Sequence, residues 1–190
     1  MSVVDLKEYS IRQQIIDEVD AWTQTLEHPS DFFNDLPSCP YAKKAWQDNK
    51  IRFTFIEKPT ALQDSINNFD DRFELHILID LNYTSSSNFH DYLDLHNDKV
   101  ADGDYDTKDI WLMGFHPEDD YDDGNDESVF EQETDVNYAL IFVQRLSKLH
   151  EAAEKLAKLG YYQGYVDNDV FDNLYEKRTD YYRRLKNAGK

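Results

Sequence analysis

The stretch Phe73-Glu-Leu-His-Ile-Leu-Ile-Asp-Leu81 is almost continuously apolar from Leu75 onward. Such a run is expected of a central strand that is covered on both faces. A strand pattern at 51–56 precedes it and another at 110–115 follows it, each separated from it by a helical pattern. Strands that alternate with helices predict parallel neighbours joined by right-handed crossovers. The sequence therefore predicts an α/β fold with a small, mainly parallel sheet of three or four strands flanked by helices.

Helical patterns flank these strands and occupy both ends of the chain. In the longest pattern, apolar residues recur at helical spacing from Leu140 to Leu156, and Gly160 is the expected C-cap. The predicted helices cover residues 5–27, a short segment after Cys39, a segment after Pro59, a segment after the N-cap Ser87, residues 136–159 and residues 168–187. Because no repeat or low-complexity linker divides the chain, residues 1–190 are predicted to form a single domain.

The bulk composition restricts the classes of function. The formal net charge of −19, with 39 acidic and 20 basic side chains, repels nucleic acid and anionic membrane surfaces. The first residues do not form a basic segment followed by an apolar one, and no apolar run is long enough to span a bilayer. We therefore predict a cytoplasmic protein that binds neither nucleic acid nor membrane. The charge favours a cation or a basic protein partner, and high solubility is its plainest explanation.

Cys39 is the one cysteine of the chain, so it cannot form an internal disulfide. Pro40 suits the first position of a helix, which would place Cys39 at a helix N-terminus where the dipole favours a thiolate. The motif Cys39-Pro-Tyr-Ala42 resembles the Cys-Pro-Tyr-Cys of glutaredoxins. However, Ala42 replaces the second cysteine, and no clear strand precedes the motif. A redox-active thiolate and a small buried hydrophobe are the two interpretations of Cys39.

His116 is the second candidate site residue, because it follows the strand pattern directly in Phe115-His-Pro117. Sites in parallel α/β sheets form beyond the carboxyl ends of strands. If Cys39 and His116 met beside a carboxylate of the following segment, they would form a thiolate–imidazole nucleophile pair or a soft site for a divalent metal. We predict Cys39 and His116 as catalytic residues, Asp119 as a binding residue, and Cys39, His116 and Asp120 as metal ligands. The alternative is a structural histidine that bonds to a loop carbonyl.

The other histidines give weaker signals. His150 lies on the predicted helix 136–159 and would join His116 as a binding or orienting residue if it faced the sheet. His90 and His96 are six residues apart and do not share a helical face, which argues against a two-histidine metal site. His76 is predicted to be a core histidine with a local partner.

The segment 118–135 is predominantly acidic and is predicted to be a solvated loop. Its glycine, Gly124, invites comparison with a calcium-binding EF-hand loop. In that alignment Tyr121 and Phe130 occupy loop positions that require carboxylates, so the template fails. Weak binding of a cation by this loop is an alternative to a plain acidic flap.

Several motifs together resemble a bacterial protein family of unknown function. That family carries Cys-Pro-Phe-Ala followed by a basic residue, a strand ending in Ser-Phe-His-Pro, and an Asn-Tyr motif after an Asp-rich stretch. The counterparts here are Cys39-Pro-Tyr-Ala-Lys43, Gly114-Phe-His-Pro117 and Asp135-Val-Asn-Tyr138. The resemblance implies no known activity. It implies that Cys39, His116 and Asn137 are site positions.

The chain departs from that family after its Asn-Tyr motif. The family continues with Asn-Arg-Ser-Pro-Tyr-Pro, whereas this chain continues with Ala139-Leu-Ile-Phe-Val-Gln144. His150 takes the place of the family's later histidine only approximately, so the resemblance does not assign a site role to His150 or to Arg145.

Three hypotheses about function follow. The first is an enzyme with a Cys39–His116 site, using a thiolate or a divalent metal, in which Asn137 or His150 orients a reacting group. The second is a non-catalytic binding or accessory protein whose acidic surface recruits a basic partner or a cation. The third is a structural component of a larger assembly.

Overall fold

The computed structural model describes residues 3–30, 34–37, 45–105, 108–119, 137–162 and 175–188. The described helices are α1 (Val3–Thr25), α2 (Ala61–Asn67), α3 (Ser86–Ala101), α4 (Leu146–Lys158) and α5 (Lys177–Ala188). The described strands are β1 (Pro29–Ser30), β2 (Leu36–Pro37), β3 (Ile51–Phe55), β4 (Leu75–Asp80), β5 (Trp111–Phe115) and β6 (Ala139–Gln144). The first two strands form a short antiparallel pair, and the other four form the main sheet.

The main sheet has the strand order β3-β4-β6-β5 and is mostly antiparallel. The prediction of a mainly parallel sheet was therefore wrong, although the α/β class and the number of strands are confirmed. Only β3 and β4 are parallel, with Ile51 opposite Leu75. Because β4 and β5 are both antiparallel to β6, they point in the same direction without touching. The helical crossovers thus predicted the strand directions correctly, and the inserted β6 changes the pairing.

Strand β6 lies where the sequence predicted the first part of a long helix over 136–159. Its six residues, Ala139 to Gln144, are all buried, and the helix begins only at Leu146. A short apolar run rich in β-branched and aromatic residues satisfies helical spacing and a buried strand equally well. Burial between two partner strands decides for the strand here. Gly160 has a φ of 80° just after α4, as its predicted capping role requires.

The two faces of the sheet are covered by different helices. On one face, α2 and α3 bury Ile66, Phe89 and Leu93 against Leu78 and Ile141. On the other face, α1 packs its apolar stripe against the alternate residues of β4 and β6. That stripe and its partners are Ile15, Val19 and Trp22 with Ile77, Ile79, Leu140 and Phe142. The alternation of side chains along each strand therefore divides one sheet between two apolar cores.

Side chains of α3 pack directly over Gly114 of β5. A Cβ atom on Gly114 would lie only 2.5 Å from the side chains of Leu93 and Phe89. A larger residue at this position would displace the ends of these two buried side chains. Glycine at position 114 therefore makes room for Leu93 and Phe89.

Asn97 holds the outer side of the edge strand β5. Its side-chain nitrogen donates to the carbonyl of Leu112 at 3.0 Å, and its side-chain oxygen accepts from the backbone N–H of Leu112 at 2.9 Å. Asn97 is 3% exposed, so both bonds are shielded from water. The amide imitates a neighbouring strand and satisfies backbone groups that an edge strand would otherwise leave unpaired.

Several local predictions need adjustment. The N-cap of α3 is Ser85, two residues before the predicted Ser87. The described part of the C-terminal helix is Lys177–Ala188, within and just past the predicted 168–187. Of the predicted acidic loop, only residues 118 and 119 lie among the described residues. No helix in the described ranges is both long enough and apolar enough to cross a bilayer.

We predict that Asn97→Ala lowers the free energy of unfolding by about 3 kcal/mol, because two hydrogen bonds are lost and both backbone groups of Leu112 stay buried without a partner. Urea denaturation would measure the loss. Asn88→Ala is the matched control, since Asn88 is an exposed residue of the same helix. An equal effect of the two substitutions would show that the amide does not hold the edge strand.

Candidate functional site

The strand directions bring three segments together at one end of the main sheet, where the strands start or finish. Strands β4 and β5 end there, and β6 begins there, because Asp80 lies opposite Ala139 and Phe115 lies opposite Leu140. The turn after β5, the loop before α3 and residues 137–138 are therefore neighbours. The sequence predicted a site around His116 at this end of the sheet, beyond the carboxyl ends of β4 and β5.

His116 is buried, at 3% exposure, and both of its ring nitrogens have backbone partners. The backbone N–H of Glu118 donates to Nδ1 at 3.0 Å, so Nδ1 carries no proton. Nε2 then bears the proton and donates to the carbonyl oxygen of Thr84 at 2.7 Å. The rings of Tyr83 and Phe89 pack against the imidazole at centroid distances of 4.7 and 5.4 Å. The ring thus fastens the turn after β5 to the loop before α3.

Asp119 connects the same two segments from the side of the turn. Its Oδ2 accepts from the backbone N–H of His116 at 2.9 Å. Its Oδ1 accepts from the hydroxyl of Ser86 at 2.5 Å and faces Nε2 of His90 at 2.8 Å. Ser86 and His90 lie one turn apart at the start of α3, so the carboxylate also faces the positive end of that helix dipole. We call His116, Asp119, Ser86 and His90 the strand-end cluster.

The pKa shifts in the cluster agree with an ion pair between Asp119 and His90. The bond to Asp119 raises the pKa of His90 above its usual 6.5, despite partial burial. For Asp119, burial raises the pKa, but the bonds from His90, Ser86 and the His116 backbone outweigh it, so the pKa falls below 3.8. The Asp119 side chain is 13% exposed and that of His90 is 42% exposed. Water therefore screens the pair from the histidine side.

The strand-end cluster contains a serine, a histidine and an aspartate, but their connections differ from those of a hydrolytic triad. In a triad the histidine accepts the serine proton and the aspartate orients the histidine. Here the Ser86 hydroxyl and the His90 ring both point at the same oxygen of Asp119. A carboxylate with a lowered pKa is a poor base for a hydroxyl. The described geometry therefore joins loop to helix and does not activate Ser86.

The other predicted site residues are distributed unevenly around this cluster. Asn137 is exposed and lies two residues before β6, at the same end of the sheet. Cys39 and Asp120 lie outside the described residues, so their predicted roles stay predictions. In the described ranges, no group of three or more His, Cys, Asp or Glu side chains is arranged to hold a metal ion.

His150 does not join His116. Helix α4 begins after Gln144. This residue lies opposite Leu75 and Trp111, the first residues of β4 and β5, at the other end of the sheet. The His150 ring stacks on Tyr182 of α5 at 4.3 Å, and its Nε2 lies 3.6 Å from Glu154. The expectation that His150 faces His116 rested on a helix through residues 139–144. Because that segment is a strand, α4 and His150 begin from the opposite end of the sheet.

His76 and His96 pair locally. His76 faces the hydroxyl of Thr54 at 2.8 Å, and burial lowers its pKa to about 4, as expected of the predicted core histidine. His96 faces the hydroxyl of Tyr105 at 2.5 Å, and burial lowers its pKa. Sequence analysis argued against a metal site at His90 and did not single out Ser86. The one signal was their four-residue spacing near a helix start, which becomes informative only once the turn at Asp119 is known to lie there.

Many of the basic side chains form ion pairs with carboxylates of the same chain. Such ion pairs occur throughout the described structure, and Lys50 and Lys148 share the carboxylate of Glu74. The cations and their partners are Arg12 with Glu57, Lys50 and Lys148 with Glu74, Lys58 with Asp64, Arg72 with Asp70, Arg145 with Asp71, Lys177 with Asp94, Arg183 with Asp180, and Arg184 with Asp98 and Asp102. The excess of acidic residues therefore remains after local pairing.

Comparison of the chain with protein-family models, curated proteins and solved structures gave no match. The resemblance to a bacterial family, carried by the motifs around Cys39, His116 and Asn137, therefore stays a prediction.

We predict that Asp119→Asn destabilises the protein by about 2 kcal/mol near pH 5.5, because its amide nitrogen would face donors where the carboxylate accepts. The contribution of Asp119 is lost as pH falls below 3.8, since its pKa is lowered on folding. That of ionised His90 is present below pH 6.5 and is lost as pH rises through its raised pKa. The difference between wild type and variant should therefore be largest between these two values.

Thermal unfolding from pH 3 to pH 9 would measure this dependence. The matched control is His90→Gln, which keeps a donor but cannot titrate. It should remove the decline in stability contributed by His90 above pH 6.5 and leave the acid limb in place. A stability difference between wild type and Asp119→Asn that is flat across the whole range would contradict the ion pair.

Proposed function

We propose that the chain is a non-catalytic binding protein that recruits a basic partner through its acidic surface. The observation that carries this proposal is the distribution of charge. The chain has 39 acidic and 20 basic side chains, and many of the described cations are engaged in internal ion pairs. The surplus carboxylates create a field that attracts cationic groups and increases the rate of encounter with a basic protein.

Some of the described carboxylates form a regular row along α3. Asp91, Asp94, Asp98 and Asp102 recur every three or four residues along α3 and at its end, so they line one side of the helix. Asp91 and Asp102 belong to the exposed residues, and the other two are half-buried. Three of these carboxylates already pair with Lys177 and Arg184 of α5, so the row is complementary to Lys and Arg side chains on a helix.

The strand-end cluster supports the same proposal in a different way. The ring nitrogens of His116 and both oxygens of Asp119 are engaged in bonds within the turn after β5, to the loop before α3 and to the first turn of α3. Such an arrangement stabilises the helix that displays the acidic row. It gives these side chains a structural task that requires no substrate.

The experiment is affinity capture with the full chain, followed by reconstitution with the purified candidate partner. We expect a basic protein that binds stoichiometrically and whose affinity falls at least tenfold between 50 and 300 mM salt, because screening weakens charge pairing. Neutralising Asp91 with Asn should weaken binding. Glu151→Gln, an equal change of charge on α4, should not. A partner that is not basic, or an affinity independent of salt, would contradict the proposal.

An enzyme with a Cys39–His116 site is the second candidate. The observation in its favour is the position of His116 at the carboxyl ends of β4 and β5, where α/β proteins place functional groups. Catalysis by His116 would require Nδ1 to release the N–H of Glu118, or Nε2 to release the carbonyl of Thr84. The strand-end cluster would then have to open when substrate binds.

We predict that a titration of Cys39 reactivity separates the two candidates. In a binding protein without thiol chemistry, reaction with iodoacetamide should follow a pKa at or above about 8.5, the ordinary value of a thiol. An enzyme thiolate would react with a pKa at least one unit lower, and His116→Gln would raise that value. Wild type in urea provides the unfolded reference.

A further inference from the structure

Helix α5 is a basic amphipathic helix that rests on the acidic side of α3. Its sequence, Lys177-Arg-Thr-Asp-Tyr-Tyr-Arg-Arg-Leu-Lys-Asn-Ala188, carries five basic residues and one acidic residue. Packing of α5 involves α3 and α4. The chain therefore already contains one basic helix bound to its own acidic surface.

Ion pairs align the two helices side by side. Lys177 lies 2.7 Å from Asp94, near the start of α5. Two turns later, Arg184 lies 2.8 Å from Asp98 and 2.6 Å from Asp102. These carboxylates form one wall of the surface on which α5 lies.

The floor of that surface is apolar. Tyr181 and Leu185 of α5 are 6% and 8% exposed and pack with Ala101, Trp111 and Leu146. Tyr182 adds a stacked contact with the His150 ring of α4. The residues that face the body therefore include 177, 181, 182, 184 and 185, on one side of an amphipathic helix. We call the surface under α5 the α5 groove and define it by Asp94, Asp98, Asp102, Trp111 and Leu146.

The strength of this packing is moderate. The side chains of the ion pairs are between 33% and 60% exposed, so each pair contributes little and weakens with salt. Burial of Tyr181 and Leu185 supplies most of the attraction. With so few buried side chains, α5 can detach without unfolding the sheet, because local opening costs less free energy than global unfolding.

We propose that the α5 groove is the docking site for a basic amphipathic helix of the partner, and that α5 occupies it as an internal ligand until the partner displaces it. This inference rests on the proposed function and assigns it a place on the molecule. The occupant is a helix with a cation, an aromatic or aliphatic residue four positions later, and a further cation seven positions after the first. Charge complementarity and the geometry of α5 itself define this pattern.

A second copy of the chain is a weaker occupant. Exchange of α5 between two copies would replace each contact by an identical one. It would also lose the high effective concentration that the covalent connection gives to the internal helix. The helix of a separate protein can compete with the internal helix, because it can carry more cations or a larger apolar stripe than α5 and so bind the groove more tightly.

The test compares two neighbouring arginines of α5 in the full chain. Arg184 contacts the groove, whereas Arg183 pairs within its own helix with Asp180 and is 68% exposed. The substitutions Arg184→Glu and Arg183→Glu change the net charge equally, but only the first should loosen α5. The probe is a fluorescein-labelled peptide with the sequence of residues 175–188, and its binding is followed by fluorescence anisotropy.

We expect the peptide to bind Arg184→Glu at least tenfold more tightly than wild type, and Arg183→Glu within about twofold of wild type. A peptide that itself carries the Arg184→Glu change should bind at least tenfold more weakly to the loosened chain. Hydrogen exchange at residues 94–102 should rise in Arg184→Glu alone, which reports the release of α5 while the sheet stays protected. Equal peptide binding by the two variants would overturn the proposal.

The captured basic partner separates this inference from the proposed function. If the partner binds Arg184→Glu more tightly than Arg183→Glu, both stand. If it binds the two variants equally, the partner docks elsewhere, and only the assignment to the α5 groove fails. If no basic partner binds any form of the chain, the proposed function fails and this inference fails with it.

Discussion

Strand β6 hydrogen-bonds to β4 on one side and to β5 on the other, and the rest of the structure depends on this double pairing. All six of its residues are buried. Its side chains Leu140 and Phe142 complete the core under α1, while Ile141 and Val143 complete the core under α3. Without β6, β5 would lose its partner strand and its connection to the rest of the sheet, and only the bonds from α3 and its preceding loop would hold the turn at His116.

Helix α3 is the element that connects fold and surface. One side packs on β5, where Leu93 and Phe89 occupy the space that a side chain at position 114 would need. Its first turn is bonded to Asp119, and Asn97 holds the edge strand through Leu112. The opposite side carries the carboxylates that pair with Lys177 and Arg184. Three independent attachments hold α3 rigid, and a rigid helix can display a charge pattern without loss of conformational entropy on binding.

Much of this arrangement could be predicted from the sequence, because it depends on local patterns. The buried run at Leu75–Asp80, the crossover helices and the glycine after α4 each carry a signal within a few residues. The identity of β6 could not be obtained in this way. Residues 139–144 satisfy two periodicities at once, and only their partners, β4 and β5, decide between them. The error then propagated to His150, whose location depends on where the strand ends.

The strand-end cluster shows the same division. The position of His116 at a strand end follows from the sequence, but its chemistry depends on Thr84 and Glu118, which approach only through tertiary structure. The role of His90 was missed because its partner lies 29 residues away. Ion pairs between α3 and α5 span more than 80 residues, and no spacing rule reports them.

The charge balance explains why the acidic helix α3 is covered by the basic helix α5. Asp94, Asp98 and Asp102 lie close together on α3, and like charges at such spacing destabilise a helix. Lys177 and Arg184 relieve this repulsion, so removal of α5 would leave α3 both uncovered and internally repelled. Any partner that displaces α5 must therefore replace its positive charge as well as its apolar contacts. The proposed preference for a basic helix rests on this double requirement, since an apolar helix would satisfy the floor of the groove and leave the wall of carboxylates unpaired.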